Sequence, residues 1–544
     1  MSRMLSPLVA LAAVLLMPHE LMAEEYIVKL RDNPGKYDLE RISRRTNNFY
    51  KISGVEEGLN LIKVEAYLVD HTDDPVHMLK DYFDAEYVVP NIQLHAFMAS
   101  DPRRAEQWAL DMIHAEQAWV VSLGSQTVVV AVIDTGINNH EDLKANIWAN
   151  SGETANNGID DDNNGYIDDV IGWDFHGKDN NPDDETGPQN PGHGTHCSGI
   201  IGAVCGNELG ICGISPQVSL MPLRFLGKDG SGDLFASIQA IEYAVKNGAH
   251  VISASWGATI PESNAQPIIE AIKKAEEKGV IFVAAAANDG KSNDHSSVYP
   301  ANAQTPHMIS VAASNSSDQK PAWSNYGRKV DIAAPGEGIL STIPGGYGKL
   351  SGTSMATPLV SGLVALMKSV DLSLTGSQAR SILQATGAQV NIETASNRRI
   401  DAQKALEAVK NRSLTLVPAA LTLKLNDQFS FAAWGGVPPY KFSSLNPEIL
   451  SCDEAGLATA KAVGDATIEV VDSLGAKAGS VSLKISDGSL PPGNGSECPF
   501  DNQFMCMIMC LVDPRLPWCK NESELEIPHD LPLPFPLPIP YNNI

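Results

Sequence analysis

Apolar and polar positions change rhythm along the chain, and each change predicts a different architecture. After a polar start at Glu24 and Glu25, strict alternation at Tyr26, Val28 and Leu30 predicts a half-buried strand, and a second strand is expected near Tyr87 to Val89. A small α+β unit over residues 24–98 follows. From about Asp101 the chain turns rich in Gly, Ala and Val, with short continuous apolar runs at Val128 to Ile133, Ser219 to Arg224, Val251 to Ser255, Val280 to Ala284 and Met308 to Ala312. Helical periodicity separates them at Phe235 to Lys246, Ala265 to Lys278 and Met355 to Ser369. Buried strands alternating with helices predict an α/β domain with a parallel sheet, here over residues 99–412. Across 413–486 the rhythm shortens again, with strands expected at Thr415 to Leu425, Phe429 to Trp434, Ala466 to Val471 and Val481 to Ile485 between Gly and Pro turns. An immunoglobulin-like β-sandwich is the expected form. Residues 487–544 begin as a Gly/Pro linker and end in DLPLPFPLPIP, whose prolines favour an extended conformation.

The amino terminus adds an address. Arg3, an apolar run from Leu5 to Met17 and the small Ala23 read as a signal peptide over residues 1–23. That run is shorter than the ~20 residues a membrane helix needs, so no membrane span is expected and the protein is expected to be secreted, whether extracellular, periplasmic or at the cell surface.

Charge narrows the partners. The net charge of -26 argues against nucleic acid and anionic membranes. Much of the excess is local: residues 151–190 hold eleven Asp or Glu and one basic residue, Lys178. Such a cluster calls for cations. In NGIDDDNNGYIDDVIGWDF, Asp160, Asp162 and Asn164 recur every second residue, followed by Gly165 and Asp168. Oxygen ligands at that spacing suit Ca2+, with Asp169 as the replacement for the twelfth-position carboxylate that Ile171 lacks. Eight cysteines in an exported chain are expected to form disulfides. Cys205 and Cys212 bracket a short loop and are expected to pair, leaving Cys197 free as a small buried hydrophobe. Cys498, Cys506, Cys510 and Cys519 allow three connectivities and do not match a familiar zinc spacing.

Three segments carry chemistry. VVVAVIDTGI ends a strand in Asp134; alone it also fits half of an aspartic peptidase dyad, but no second Asp-Thr-Gly exists in the chain. GHGTHCSGIIGAV places His193 at the start of a small-residue helix. SGTSMATPLVSGLVAL places Ser354 at the head of an apolar helix with Pro358 in its first turn, where a serine is otherwise only an N-cap. Together, in the order Asp, His, Ser, these segments resemble the three signatures of subtilisin-like serine peptidases. The resemblance covers the α/β region and implies a serine endopeptidase acting on polypeptides, with Ser354 as nucleophile, His193 as general base and acid, and Asp134 orienting the imidazole.

Further roles come with the resemblance. Asn288, in VAAAANDG, matches the family's oxyanion asparagine, acting with the Ser354 N–H. Gly230, Ser231 and Gly232, and Ser255, Trp256 and Gly257, match the segments that pair with extended substrate. Ala287 and Val298 stand where the family commonly has glycine, which implies a shallow primary pocket suited to small or medium apolar side chains. Asp142 matches a second calcium site held with the loop around Asn207. Residues 24–98 resemble the inhibitory prosegment, an intramolecular partner removed by cleavage between Leu94 and Asp101, and a monomer is expected. The rival is a surface adhesion or binding protein on a non-catalytic scaffold of this type; a narrower one is a processing peptidase with few substrates.

Overall fold

In the computed structural model the described residues are 23–30, 50–56, 61–67, 75–83, 85–90 and 101–487. The expected signal peptide apart from Ala23, the prosegment cleavage stretch before Asp101, the four tail cysteines and the proline-rich end lie outside them. The chain divides into two units, 1–98 and 99–544.

In the first unit, β1 (Ala23–Leu30), β2 (Tyr50–Glu56), β3 (Leu61–Tyr67) and β4 (Ala85–Pro90) form an antiparallel sheet in the order β2-β3-β1-β4. The alternation works as read. Tyr26, Val28 and Leu30 are buried on one face with Ile62 and Val64, and α1 (Pro75–Phe83) adds Leu79 and Phe83 one turn apart. Pro75 opens that helix, where its missing N–H removes no intrahelical bond.

The second unit is built on a nine-stranded sheet. In chain order its strands are β5 (Gly124–Asp134), β6 (Trp173–Asp174), β7 (Gln217–Arg224), β8 (Val251–Ala254), β9 (Ile281–Ala285), β10 (Met308–Ser314), β11 (Ile332–Pro335), β12 (Ala388–Gln389) and β13 (Arg398–Arg399). Across the sheet they run β12-β13-β11-β10-β9-β8-β5-β7-β6. All neighbours are parallel except the β12/β13 edge pair. Continuous apolar strands reflect burial on both faces. Val128, Val130 and Val132 enter one core with α2 (His193–Gly202), while Ala131 and Ile133 enter the other with α3 (Leu234–Lys246) and α4 (Glu262–Glu277). The core helix α5 (Thr353–Val370) fills the first core through Leu359, Val360, Leu363 and Val364. It is the one helix among the described residues long and apolar enough to cross a membrane, and it lies mostly buried inside the fold. Because β7 and β8 flank β5 on opposite sides, the chain reverses direction at β5, the position in open α/β sheets where ligands gather beyond the strand ends.

One expectation is corrected. Helix α5 begins at Thr353, so Pro358 is its sixth residue and sits in the second turn rather than the first. The short strands β6, β11, β12 and β13 lack a pattern of their own; four residues or fewer leave no periodicity to read.

After α6 (Gly376–Thr386) and α7 (Ala402–Lys410), eleven short strands from Thr415 to Ser486 form one two-stranded and three three-stranded sheets. They share a core of Leu416, Phe431, Phe442, Leu450, Ile468 and Leu483. Trp434 belongs instead to the large core of the α/β region, with the Arg412 guanidinium 5.6 Å from its ring centre. This indole fastens the strands to the sheet domain. Trp434→Ala is expected to cost about 3–5 kcal/mol, read as a lower denaturation midpoint of the α/β region. An unchanged midpoint would mean that the strands add nothing to that domain's stability.

Candidate active site

Asp134 ends β5 at the reversal point, and His193 opens α2 beside it. Their side chains meet: His193 Nδ1 lies 2.7 Å from Asp134 Oδ1, the acid fully buried and the imidazole a quarter exposed. With Nδ1 donating to the carboxylate, Nε2 is left as the acceptor. Enclosure disfavours a charged imidazolium, but the adjacent Asp134 carboxylate outweighs it and holds the His193 pKa well above the ordinary histidine value. The other histidine of the motif behaves differently. His196 is fully buried, its Nε2 lies against the carbonyls of Ile339 and Gly348 at 3.0 and 3.2 Å, and burial depresses its pKa to about 3.

Ser354 is the second residue of α5, and its hydroxyl donates to the Ser255 carbonyl at 3.1 Å. It lines the same cavity as His193, and bonds between nucleophile and base commonly tighten only with substrate bound. Pro358 explains what holds the Ser354 backbone. A residue four positions on would normally donate its N–H to the Ser354 carbonyl, and proline has none. That carbonyl instead accepts from Ser255 Oγ at 3.0 Å and from Cys197 Sγ at 3.4 Å. Cys197 is fully buried, 4.0 Å from His193 Nδ1, and burial pushes its thiol up, keeping it a neutral donor.

The Asn288 amide is oriented by chemistry. The Thr353 N–H, which can only donate, reaches the Asn288 side-chain oxygen at 2.8 Å, and the Thr353 hydroxyl reaches it at 3.0 Å. Nδ2 is therefore the free end. A carbon placed on Gly352 would lie 3.4 Å from Asn288 Nδ2 and 3.5 Å from the Ser354 nitrogen, so both donors stand beside residue 352.

The cavity holding these groups measures about 390 Å3 and is lined by His193, Ser354 and Asn288 together with Gly230, Ser255, Trp256, Gly257 and Ala287. Ser231, Gly232 and Val298 do not line it. Gly232 lies against the Phe225 carbonyl, and buried Val298 sits behind Gly257. Ala287 adopts φ +90°, a conformation that costs an L-residue about 1–2 kcal/mol. Its amide donates to Thr353 Oγ1 at 3.2 Å and its carbonyl accepts from Asn325, so both sides pin the strained residue.

In the acidic segment, Glu153, Asp162 and Asp169 each bring one oxygen to within 4.8 Å of the others. Asp160 and Asp168 do not join them. The Asp160 carboxylate accepts the N–H groups of Asn164 and Gly165, and Asp168 accepts those of Asn157 and Gly158, which builds the turns. Asn164 donates its amide to Asp162 and Asp169. Fully buried Asp169 is held by neutral donors, the amides of Asn150 and Asn164 and the Tyr243 hydroxyl. An all-oxygen, carboxylate-rich set of this kind fits a hard cation. Asp142 is fully buried too, accepting from Asn207 Nδ2 at 2.8 Å, the Ile211 N–H at 3.0 Å and the Tyr347 hydroxyl at 3.2 Å. The Cys205–Cys212 disulfide closes the loop that carries Asn207.

Sequence reasoning missed Thr353 and Glu153. Glu153 had a signal, an acid just ahead of the Asp-rich loop; Thr353 stands in the serine motif, but its contacts exist only in the fold.

Against known proteins, the family model described as "Subtilase family" matches residues 125–407. Thermitase of Thermoactinomyces vulgaris is 38% identical over 278 residues, 51% of this chain and 86% of that protein. Subtilisin BL of Lederbergia lenta is 33% identical over 51% of this chain and 90% of its own length. The minor extracellular protease Epr of Bacillus subtilis is 33% identical over 58% of this chain and 45% of its own.

Proposed function

Because the chain belongs to the subtilase family and is a serine endopeptidase, we propose that it cleaves polypeptides through an acyl-enzyme on Ser354. Ser354 Oγ attacks the scissile carbonyl carbon as its proton passes to His193 Nε2. The tetrahedral oxyanion is held by the Ser354 N–H and Asn288 Nδ2. The C–N bond then breaks, the proton goes to the leaving amine, and water repeats the sequence to free the acid and restore Ser354. Asp134 keeps the imidazole in its working tautomer. The observation that carries this reading is the 2.7 Å contact between His193 and Asp134 in a cavity shared with Ser354 and Asn288. A non-catalytic scaffold would have no need of that alignment.

Substrate lies extended between the segments 230–232 and 255–257, and the Ala287 methyl, lining the cavity, narrows the primary pocket. Residues 24–98 act as the prosegment of a secreted precursor; a strand-rich unit within that span and the likeness to the minor extracellular protease Epr of Bacillus subtilis support this. The domain runs 99–412, and the strands of 413–486 form an immunoglobulin-like appendage. Glu153, Asp162 and Asp169 would hold a calcium ion, and Asp142 with the Asn207 loop a second; bound there, it would supply positive charge that ties the acidic loops together. The enzyme works as a monomer.

The central test is chemical. A fluorophosphonate is expected to label the enzyme stoichiometrically, and Ser354→Ala to abolish labelling, peptide hydrolysis and cleavage of its own precursor. Since the working base is neutral His193, whose pKa is raised, kcat/KM should fall with decreasing pH along a limb centred above ~6.5, the ordinary histidine value. A limb below that value, or maturation of Ser354→Ala alone, contradicts the mechanism. In a peptide library the enzyme should favour small and medium apolar residues before the cut, and Ala287→Gly should shift it toward Phe and Tyr; a parental preference for Phe or Tyr rules the pocket reading out. Chelation should lower the thermal midpoint by several degrees, reversed by added Ca2+, and Asp169→Asn should blunt the response. A midpoint indifferent to chelator would remove calcium from the account.

A further inference from the structure

Asp184 is buried and touches no reacting group, yet it gathers residues from either side of His193 in the chain. Its Oδ2 accepts the Thr195 N–H at 2.9 Å and the Thr195 hydroxyl at 2.7 Å, both in the first turn of α2. Its Oδ1 accepts from Asn190 Nδ2 at 2.9 Å. The Thr135 hydroxyl, next to Asp134, accepts the Gly194 N–H at 2.8 Å. Asn190 completes the chain. Its side-chain oxygen accepts the N–H groups of Gly192 and His193 at 3.0 and 2.7 Å, so its Nδ2 faces Asp184 and the Glu185 carbonyl, to which it also donates at 2.9 Å.

We propose that Asp184 is a positioning residue for catalysis, orienting Asn190 and Thr195 so that the His193 imidazole is held against Asp134. The inference rests on His193 being the general base. Only a carboxylate satisfies the arrangement, because the donors converge on both oxygens. An amide at 184 would turn its NH2 toward either Asn190 Nδ2 or the Thr195 N–H. Either way one donor faces another, and Asn190 or the helix start must move. Small displacements of a general base cost rate more than binding.

The test compares the full-length chain, Asp184→Asn, and the reciprocal pair Asp184→Asn with Asn190→Asp, in which one amide again faces one carboxylate. Rates are normalised to sites titrated by a fluorophosphonate, so that unfolded or unprocessed chains do not count. Expected for Asp184→Asn is a kcat about tenfold to a hundredfold lower with KM within about twofold, and a kcat in the reciprocal pair at least about threefold above that of the single variant. Parental kcat in Asp184→Asn, or a loss carried by KM alone, overturns the inference while leaving the peptidase mechanism intact. A parent that neither titrates nor hydrolyses overturns both. Should Asp184→Asn give no titratable enzyme, Thr195→Val, which deletes the hydroxyl donor, decides: kcat lowered about threefold or more supports the role, and parental kcat overturns it.

Discussion

The first turn of α2 approaches the end of β5 so closely that residue 194 has no room for a side chain. A Cβ there would lie 2.2 Å from the Gly136 carbonyl oxygen and 3.2 Å from Asp134 Cβ. This contact brings His193 to the carboxylate, and the site depends on it. A similar approach sets the other distance. Gly362 of α5 lies against the backbone of Ile201 in α2, where a Cβ would be 3.3 Å from the Ile201 Cα and 2.0 Å from the Ile214 side chain. The helices that carry imidazole and hydroxyl are thus spaced by missing side chains. Their relation is a packing result before it is a hydrogen-bonding one.

Much of this was legible because the sheet is buried on both faces. Five strands reveal themselves as apolar runs, and Asp134 stands out as a charge at the end of one. The glycines around His193 and Ser354 were legible for the same reason, since close packing leaves them no substitute. The acidic loop was harder. Spacing within 160–168 identifies carboxylates but not their direction, and those of Asp160 and Asp168 close turns outside the cluster of Glu153, Asp162 and Asp169. Glu153 joins the cluster from outside the repeating pattern. Asp184 and Asn190 had no pattern to read, because their significance lies in which atoms donate and which accept.

The buried carboxylates share one electrostatic logic. Asp134, Asp142, Asp169 and Asp184 are nearly or fully inaccessible, and burial pushes Asp142 and Asp184 above the ordinary carboxylate range. Neutral donors surround Asp142, Asp169 and Asp184, amides and hydroxyls that stabilise negative charge without cancelling it. At Asp134 the unfinished compensation has a use. One oxygen faces His193 and the Thr135 N–H, while the other is buried without a partner, so the charge is focused on the imidazole. Protonating that imidazole during the reaction completes an ion pair that the resting fold leaves open.

Pro358 shows how the same economy treats the nucleophile. Proline inside a helix costs about 3 kcal/mol, and neutral hydrogen bonds from Ser255 and Cys197 offset only about 0.5–1.5 kcal/mol each. Stability alone does not account for the exchange. What it changes is the direction of the tie: the Ser354 carbonyl, released from its own helix, binds Ser255 at the end of the neighbouring strand and Cys197 on α2. Ser255 returns the contact by accepting the Ser354 hydroxyl. An ordinary helical bond would anchor Ser354 to α5 alone. The proline instead couples it to the strand that borders the substrate cavity and to the helix that carries the base, so the three elements hold one another in register.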